Sequence, residues 1–230
     1  MRKLGQALKQ VVSEPVETER GAAARSVLMN ANRRRAFEYV AWHPCCAAAE
    51  IAHALDVSGP TAAWHLRKLA EAGYVVEPVL GRARRYHVAG MALEPNELGG
   101  LAALADETAR SALAAIVQRP GVTTRDLADR TDRAGLRRAV RTLAAAGWIS
   151  TVVDGRFRRY YPGPTLAAIE RSAPRRLRDF RRRLLRRLER DWLAPEARPA
   201  PGDVLEIDIR FGGVKATLRV PTESLLRSRL

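Results

Sequence analysis

"EIAHALDVSGPTAAWHLRKLAEAGYV", residues Glu50 to Val75, decides the fold. Ile51 and Leu55 lie one turn apart, which fits a short helix with one inward face. Val57-Ser58-Gly59-Pro60 then breaks it. Ser58 is suited to cap a following helix, and Pro60 suits a first turn, where its missing N–H costs nothing. A third helix follows, with Ala62, Leu66 and Leu69 on one face. Gly73 is its stop, because glycine enters the left-handed conformation freely. The stretch therefore reads as helix, tight turn, helix.

Upstream, Val27, Leu28, Ala31, Ala36, Phe37, Val40 and Ala41 recur at helical spacing, and His43-Pro44 ends the pattern. Downstream, "YVVEPV" and "RARRYHV" read as two strands joined through Leu80-Gly81. The whole then recurs. With Gly73 laid over Gly147, Leu69 meets Leu143, Tyr74 meets Trp148, and Arg84-Arg85-Tyr86 meets Arg158-Arg159-Tyr160. Further upstream the offset becomes 76, laying "NANRRRAFEYVAWHP" (Asn30 to Pro44) over "DETARSALAAIVQRP" (Asp106 to Pro120). Two residues are missing from the second copy, between Thr131 and Asp132, and duplications tolerate such changes at turns. In the second copy Asp154-Gly155 is a two-residue hairpin signal.

Helix, helix, turn, helix, hairpin is the order of a winged helix-turn-helix. Glu50 to Val75 with its Arg-rich hairpin resembles the arsenic-repressor (ArsR) type of winged helix. Two such units in one chain are similar to tandem winged-helix proteins of archaea. The resemblance covers both repeats and is weaker in the second, where Ala139 replaces His65. It implies DNA binding, with the third helix in the major groove and the wing on the backbone or minor groove.

On that reading Ser58, Thr61, Ala63, Trp64, Arg67 and Lys68 face DNA in the first copy. Thr61 and Arg67 suit base edges or phosphates, and Ala63 suits a thymine methyl. Trp64 either packs on the sugar-phosphate wall or folds back on the first helix. His65 reads as a satisfied structural histidine. The second copy offers Arg133, Arg137, Arg138 and Arg141, a more uniform surface that suits backbone contact. In the wings, strand alternation sends Arg82, Arg84 and Tyr86 one way and Ala83, Arg85 and His87 the other. Arg82, Arg84 and Arg85, with Arg156, Arg158 and Arg159 in the second copy, are the phosphate-binding candidates.

The totals agree with a polyanion partner. The chain has 230 residues, a formal net charge of +15 and a pI near 11.1, and its arginines cluster. The charge favours nucleic acid over a membrane. No apolar run is long enough to cross a bilayer and no signal-peptide pattern is seen, so the expected place is the cytoplasm, on the nucleoid. The cysteines, Cys45 and Cys46, are neighbours and form no disulfide framework. In metal-sensing relatives of the type, thiolates fall where Ala47 and Ala49 stand here, so no metal and no cofactor are expected. No catalytic motif is present, and an enzyme is not expected.

After Pro164, "TLAAIERSA" reads as a short helix. "PRRLRDFRRRLLRRLERDWLA" reads as a long one, capped by Ser172 with Pro174 in its first turn. Leu177, Phe180, Leu184, Leu188 and Trp192 form a narrow apolar stripe, expected to pair with a second copy in a homodimer. "APEARPAPG" reads as a linker, and two strands with one apolar face follow. Such a hairpin must cover something, in a dimer or on a protein partner.

The expected fold class is thus α+β and predominantly helical: two tandem winged helix-turn-helix domains, a long basic C-terminal helix and a terminal β-hairpin. The segments are a mobile 1–20, domains at 21–92 and 98–163, a basic helical 164–194, and a hairpin with a short terminal helix at 203–230. The expected function is a transcription regulator that binds duplex DNA. Two alternatives stay open: a chromatin-like architectural protein, and a winged module for protein interaction.

Overall fold

The computed structural model describes residues 27–80, 83–128, 133–222, 224 and 226; the N-terminal segment, Arg82 and the last residues lie outside these. A short 3-10 turn, Val27–Met29, leads into α1 (Ala31–Trp42). Asn30 caps α1, its Oδ1 accepting the Arg33 N–H at 3.1 Å. In α2 (Ala48–Leu55) Glu50 reaches back to accept the Ala47 N–H at 2.7 Å. In α3 (Gly59–Glu71) Ser58 Oγ accepts the Thr61 N–H at 3.2 Å. Gly73, at φ +71°, turns the chain out of α3. Phe37, Ile51, Leu66, Leu69 and Tyr74 close the core between these helices.

The hairpin that follows keeps one register but is interrupted. Its pieces are β1 (Val75–Val76), β2 (Val79–Leu80), β3 (Ala83–Arg84) and β4 (His87–Val88). Val75 pairs with Val88 and Val79 with Arg84. The break has two causes. Pro78 has no N–H to give, and Tyr86 turns its backbone to Cys46 instead, in an antiparallel bridge. Both cysteines are buried and form no disulfide, and Cys46 serves as a short third strand.

A second unit has the same order. α4 (Pro95–Ala103) begins in the gap between the expected domains and runs into the second. Then come α5 (Glu107–Gln118), β5 (Val122–Thr123), α6 (Thr124–Ala128), α7 (Arg133–Ala145), β6 (Ile149–Asp154) and β7 (Phe157–Pro162). α5 begins and ends 76 positions after α1, and α7 begins and ends 74 positions after α3. Val122 pairs with Tyr160, as Cys46 does with Tyr86. α4 earns its place by packing: Trp148 is fully buried and donates its indole N–H to the Asn96 carbonyl at 3.3 Å. A Cβ on Gly100 would lie 1.9 Å from the Trp148 ring.

Beyond the second unit the structure departs from the sequence reading in four places. First, α8 (Pro164–Arg190) is one continuous helix, not two. Ser172 does not cap it; its hydroxyl donates to the Ile169 carbonyl at 3.2 Å. Pro174 lies mid-helix at an exposed position, and Glu170, whose carbonyl it leaves without a helix partner, is exposed too. Second, Leu177, Phe180, Leu184 and Leu188 are buried within the single chain, so the stripe is already covered without a second copy. Arg176, Arg183 and Arg187 fasten α8 to the first unit through the carbonyls of Ala92, Gly90 and Ala72. Third, Trp192 leaves the stripe. It follows the helix in a left-handed conformation and is 71% exposed.

Fourth, the hairpin is a three-stranded antiparallel sheet of β8 (Glu196–Ala200), β9 (Val204–Phe211) and β10 (Val214–Pro221). The proline-rich segment forms β8. That is possible because β8 is an edge strand, where proline need not donate to a neighbour. Ile207, Ile209, Leu218 and Val220 are buried. The sheet lies on α1: Trp42 donates its indole N–H to the Arg219 carbonyl, and the Arg219 N–H reaches Glu38 Oε1 at 2.8 Å. The apolar face is covered by the chain itself. The suggested terminal helix falls mainly outside the described residues.

Candidate nucleic-acid interface

Helical geometry divides α3 into two faces. Ala62, His65, Leu66 and Leu69 are buried, and Ser58, Thr61, Ala63, Trp64 and Arg67 are exposed, with Lys68 half-buried. The Ser58 and Thr61 hydroxyls lie 2.7 Å apart at the helix start. Trp64 leans back towards α1, with the Arg33 guanidinium 5.7 Å from its ring centre, yet stays 41% exposed. Lys68 pairs with Glu71 at 2.8 Å and Arg67 loosely at 3.9 Å. Exposed pairs of this kind contribute little, about 0.2–1 kcal/mol, so a phosphate can displace the glutamate.

His65 departs from the sequence reading. It is buried against Trp64, and its Nδ1 has no hydrogen-bond partner among the described residues. Burial, then the charge of Arg33, lower its pKa below the ordinary histidine value.

The wing arginines divide sharply. Arg84 is 74% exposed and donates to Glu77 at 2.9 Å, which raises its pKa. Tyr86 donates to the same Glu77 oxygen at 3.0 Å. Sequence reading overlooked Glu77, although its place across the hairpin from Arg84 and Tyr86 was the available signal. Arg85 is turned towards the protein rather than into solvent. Its side chain is only 18% exposed and lies 3.6 Å from Glu50 of α2, because the strand break turns it inward. Arg82 lies outside the described residues.

In the second unit Arg137, Arg138 and Arg141 project from α7 to solvent, with Arg138 3.4 Å from Asp106. Arg133 begins the helix, and its side chain is outside what the structure describes. In the β6–β7 hairpin Arg156 stacks over Phe157 at 5.1 Å and Arg158 is exposed. Arg159 is held: it donates to Asp154 at 2.7 Å, which raises its pKa, and to the Gly121 carbonyl. Val152, Val153 and Phe157 are also exposed on this hairpin.

Among the described residues no group of three His, Cys, Asp or Glu side chains is placed to hold a metal, and no helix is long and apolar enough to cross a membrane.

An exposed polar helix start, a buried opposite face and a basic hairpin are the parts of a helix that enters a groove. Residues 29–76, from the end of the 3-10 turn through β1, match a family model described as winged helix-turn-helix DNA-binding. This segment is a winged helix-turn-helix domain of the DNA-binding class. A comparison of the chain with curated proteins finds no match.

Proposed function

We propose that the chain is a transcription regulator that binds duplex DNA through two winged helix domains, the first reading bases and the second gripping the backbone. The observation that carries this reading is the outward row Ser58, Thr61, Ala63, Trp64 and Arg67 on α3, inside the segment that matches the DNA-binding model. Its short polar and small side chains suit base edges, and Arg67 suits guanine. The coincidence of element bounds and of the Cys46–Tyr86 and Val122–Tyr160 pairings supports treating the second unit as another winged helix. Its outward Arg137, Arg138 and Arg141 supply charge with little shape, which suits phosphates. Arg84 and Arg158 hold flanking phosphates from the two wings.

The test is selection from a random duplex library at about 0.15 M salt, near physiological ionic strength, followed by sequencing. An enriched motif that fades on changing Thr61 or Arg67 to Ala establishes the regulator. Tight binding without a motif replaces it with an architectural, chromatin-like role. No duplex binding removes both.

A further inference from the structure

We infer that the outer face of α8 is a second DNA-backbone surface, which holds a duplex segment other than the one under α3. This rests on the reading of the chain as a duplex-DNA binder. Arg171, Arg175, Arg178, Arg182 and Arg186 recur every three or four residues along α8 and are all exposed. At about 1.5 Å per residue the row extends for roughly 22 Å. Only Arg182 has an acidic partner among the described residues, Asp179 at 2.7 Å.

A charged outer face is ordinary on a surface helix, but this one is crowded. A groove of about 450 Å³ runs between α8 and the C-terminal sheet, where the stems of Arg178, Arg181, Arg182 and Arg186 stand beside Glu189 and the apolar Leu185, Ala197 and Leu205. Arg181 has its pKa lowered by burial and then by the charge of Arg178. Like charges held this close are relieved by an anion. The row holds no Asn, Gln, Ser or Thr to read base edges. Planar guanidinium forks match phosphate oxygens, so the partner chemistry is a polyphosphate backbone taken without regard to sequence.

Placement separates this surface from the first. Arg187 ties α8 to the Ala72 carbonyl at 2.7 Å, at the C-terminal end of α3. Ser58 and Thr61 stand at the other end of α3, whose 13 residues span about 20 Å. The buried side of α8, Leu177 to Leu188, faces the two units, so the arginine row faces away from them. The start of α3 is thus at the end of that helix remote from its anchor on α8, so a duplex seated there leaves the arginine row open to a second segment.

The experiment tethers one duplex to beads, adds the full chain, and measures capture of a second, labelled duplex of unrelated sequence. The wild type captures it. The triple variant Arg175→Gln, Arg178→Gln, Arg186→Gln, altered only at exposed positions, still binds the tethered duplex but loses most second capture. The slope of log capture against log salt falls by roughly 2.7, at 0.9 per phosphate contact. Wild-type capture that fails, or a triple variant that captures like wild type, overturns the inference. A separate variant, Arg67→Ala with Arg137→Ala and Arg141→Ala, keeps the two readings apart. If it binds and captures like wild type, the proposed roles of α3 and α7 fall; if only the α8 variant captures like wild type, the α8 inference alone falls.

Discussion

Arg34 and Arg110 make the same pair of hydrogen bonds in the two units. Arg34 Nη1 donates to the carbonyls of Leu28 and Met29 at 3.2 and 3.3 Å. Arg110 Nη1 donates to those of Leu104 and Ala105 at 2.7 and 3.2 Å. Each arginine clamps the turn before a helix whose cap, Asn30 or Asp106, also recurs. Hydrogen bonds that repeat at the sequence offset mark these arginines as structural. Arg34→Met and Arg110→Met should each lower stability by about 1–3 kcal/mol, because charged donors to part-buried carbonyls are lost. Urea unfolding measures this, and the salt slope of DNA binding should not move.

The wing arginines separate into two kinds with opposite signatures. Arg84→Ala and Arg158→Ala should leave stability nearly unchanged and reduce the salt slope of DNA binding by about 0.9 each. Arg85→Ala should do the reverse, because Arg85 faces Glu50 at 3.6 Å on the protein side. Titrations of each variant at several salt concentrations, beside urea midpoints, distinguish the patterns. A reduced slope for Arg85→Ala at unchanged stability returns that residue to the DNA surface.

Gly100 is present because Trp148 needs its space. Gly100→Ala would place a methyl 1.9 Å from the indole. Overpacking of this sort costs about 1–3 kcal/mol, so the melting temperature should fall. Adding Trp148→Leu should recover part of the Gly100→Ala loss. A double variant that shows purely additive losses would put the glycine's role elsewhere.

Local chemistry explains what could be read in advance. Ser58, Pro60 and Gly73 act within one turn of themselves, so the two ends of α3 are visible in any copy of that stretch. Glu50, Glu77 and Tyr86 act across the fold, and the inward turn of Arg85 follows from a strand break set by Pro78 and by the pairing of Tyr86 with Cys46. No period in the sequence carries that information. Pro174 misleads for a related reason. A proline removes one helix hydrogen bond and clashes with the carbonyl four residues back, but it does not end a helix whose apolar face is packed on both sides of it, as Ile169, Ala173, Leu177 and Phe180 are here. The stripe from Leu177 to Leu188 is readable as apolar, but whether its cover comes from the same chain or another depends on contacts more than 70 residues away, such as Arg176 with Ala92.

His65 makes stability depend on pH in a definite direction. Burial and Arg33 lower its pKa in the folded state, so the neutral imidazole is the folded form. The unfolded chain keeps the ordinary value of about 6.5. Below that pH the unfolded state binds a proton that the folded state resists, so stability is full above about pH 6.5 and falls as pH drops from there towards the folded pKa. His87 in β4 is also lowered by burial and adds to the same slope. His65→Ala gives the residue found at the matching position of the second unit, Ala139, which is also buried. The variant should have a lower urea midpoint near pH 7.5, because a cavity replaces the ring, but a flatter decline between about pH 6.5 and 5.5, since the carboxylates, Glu38 with its pKa raised by burial included, are common to both proteins. Urea midpoints across that interval decide it. An unchanged slope in His65→Ala assigns the proton to His87, and His87→Ala should then flatten the curve in its place.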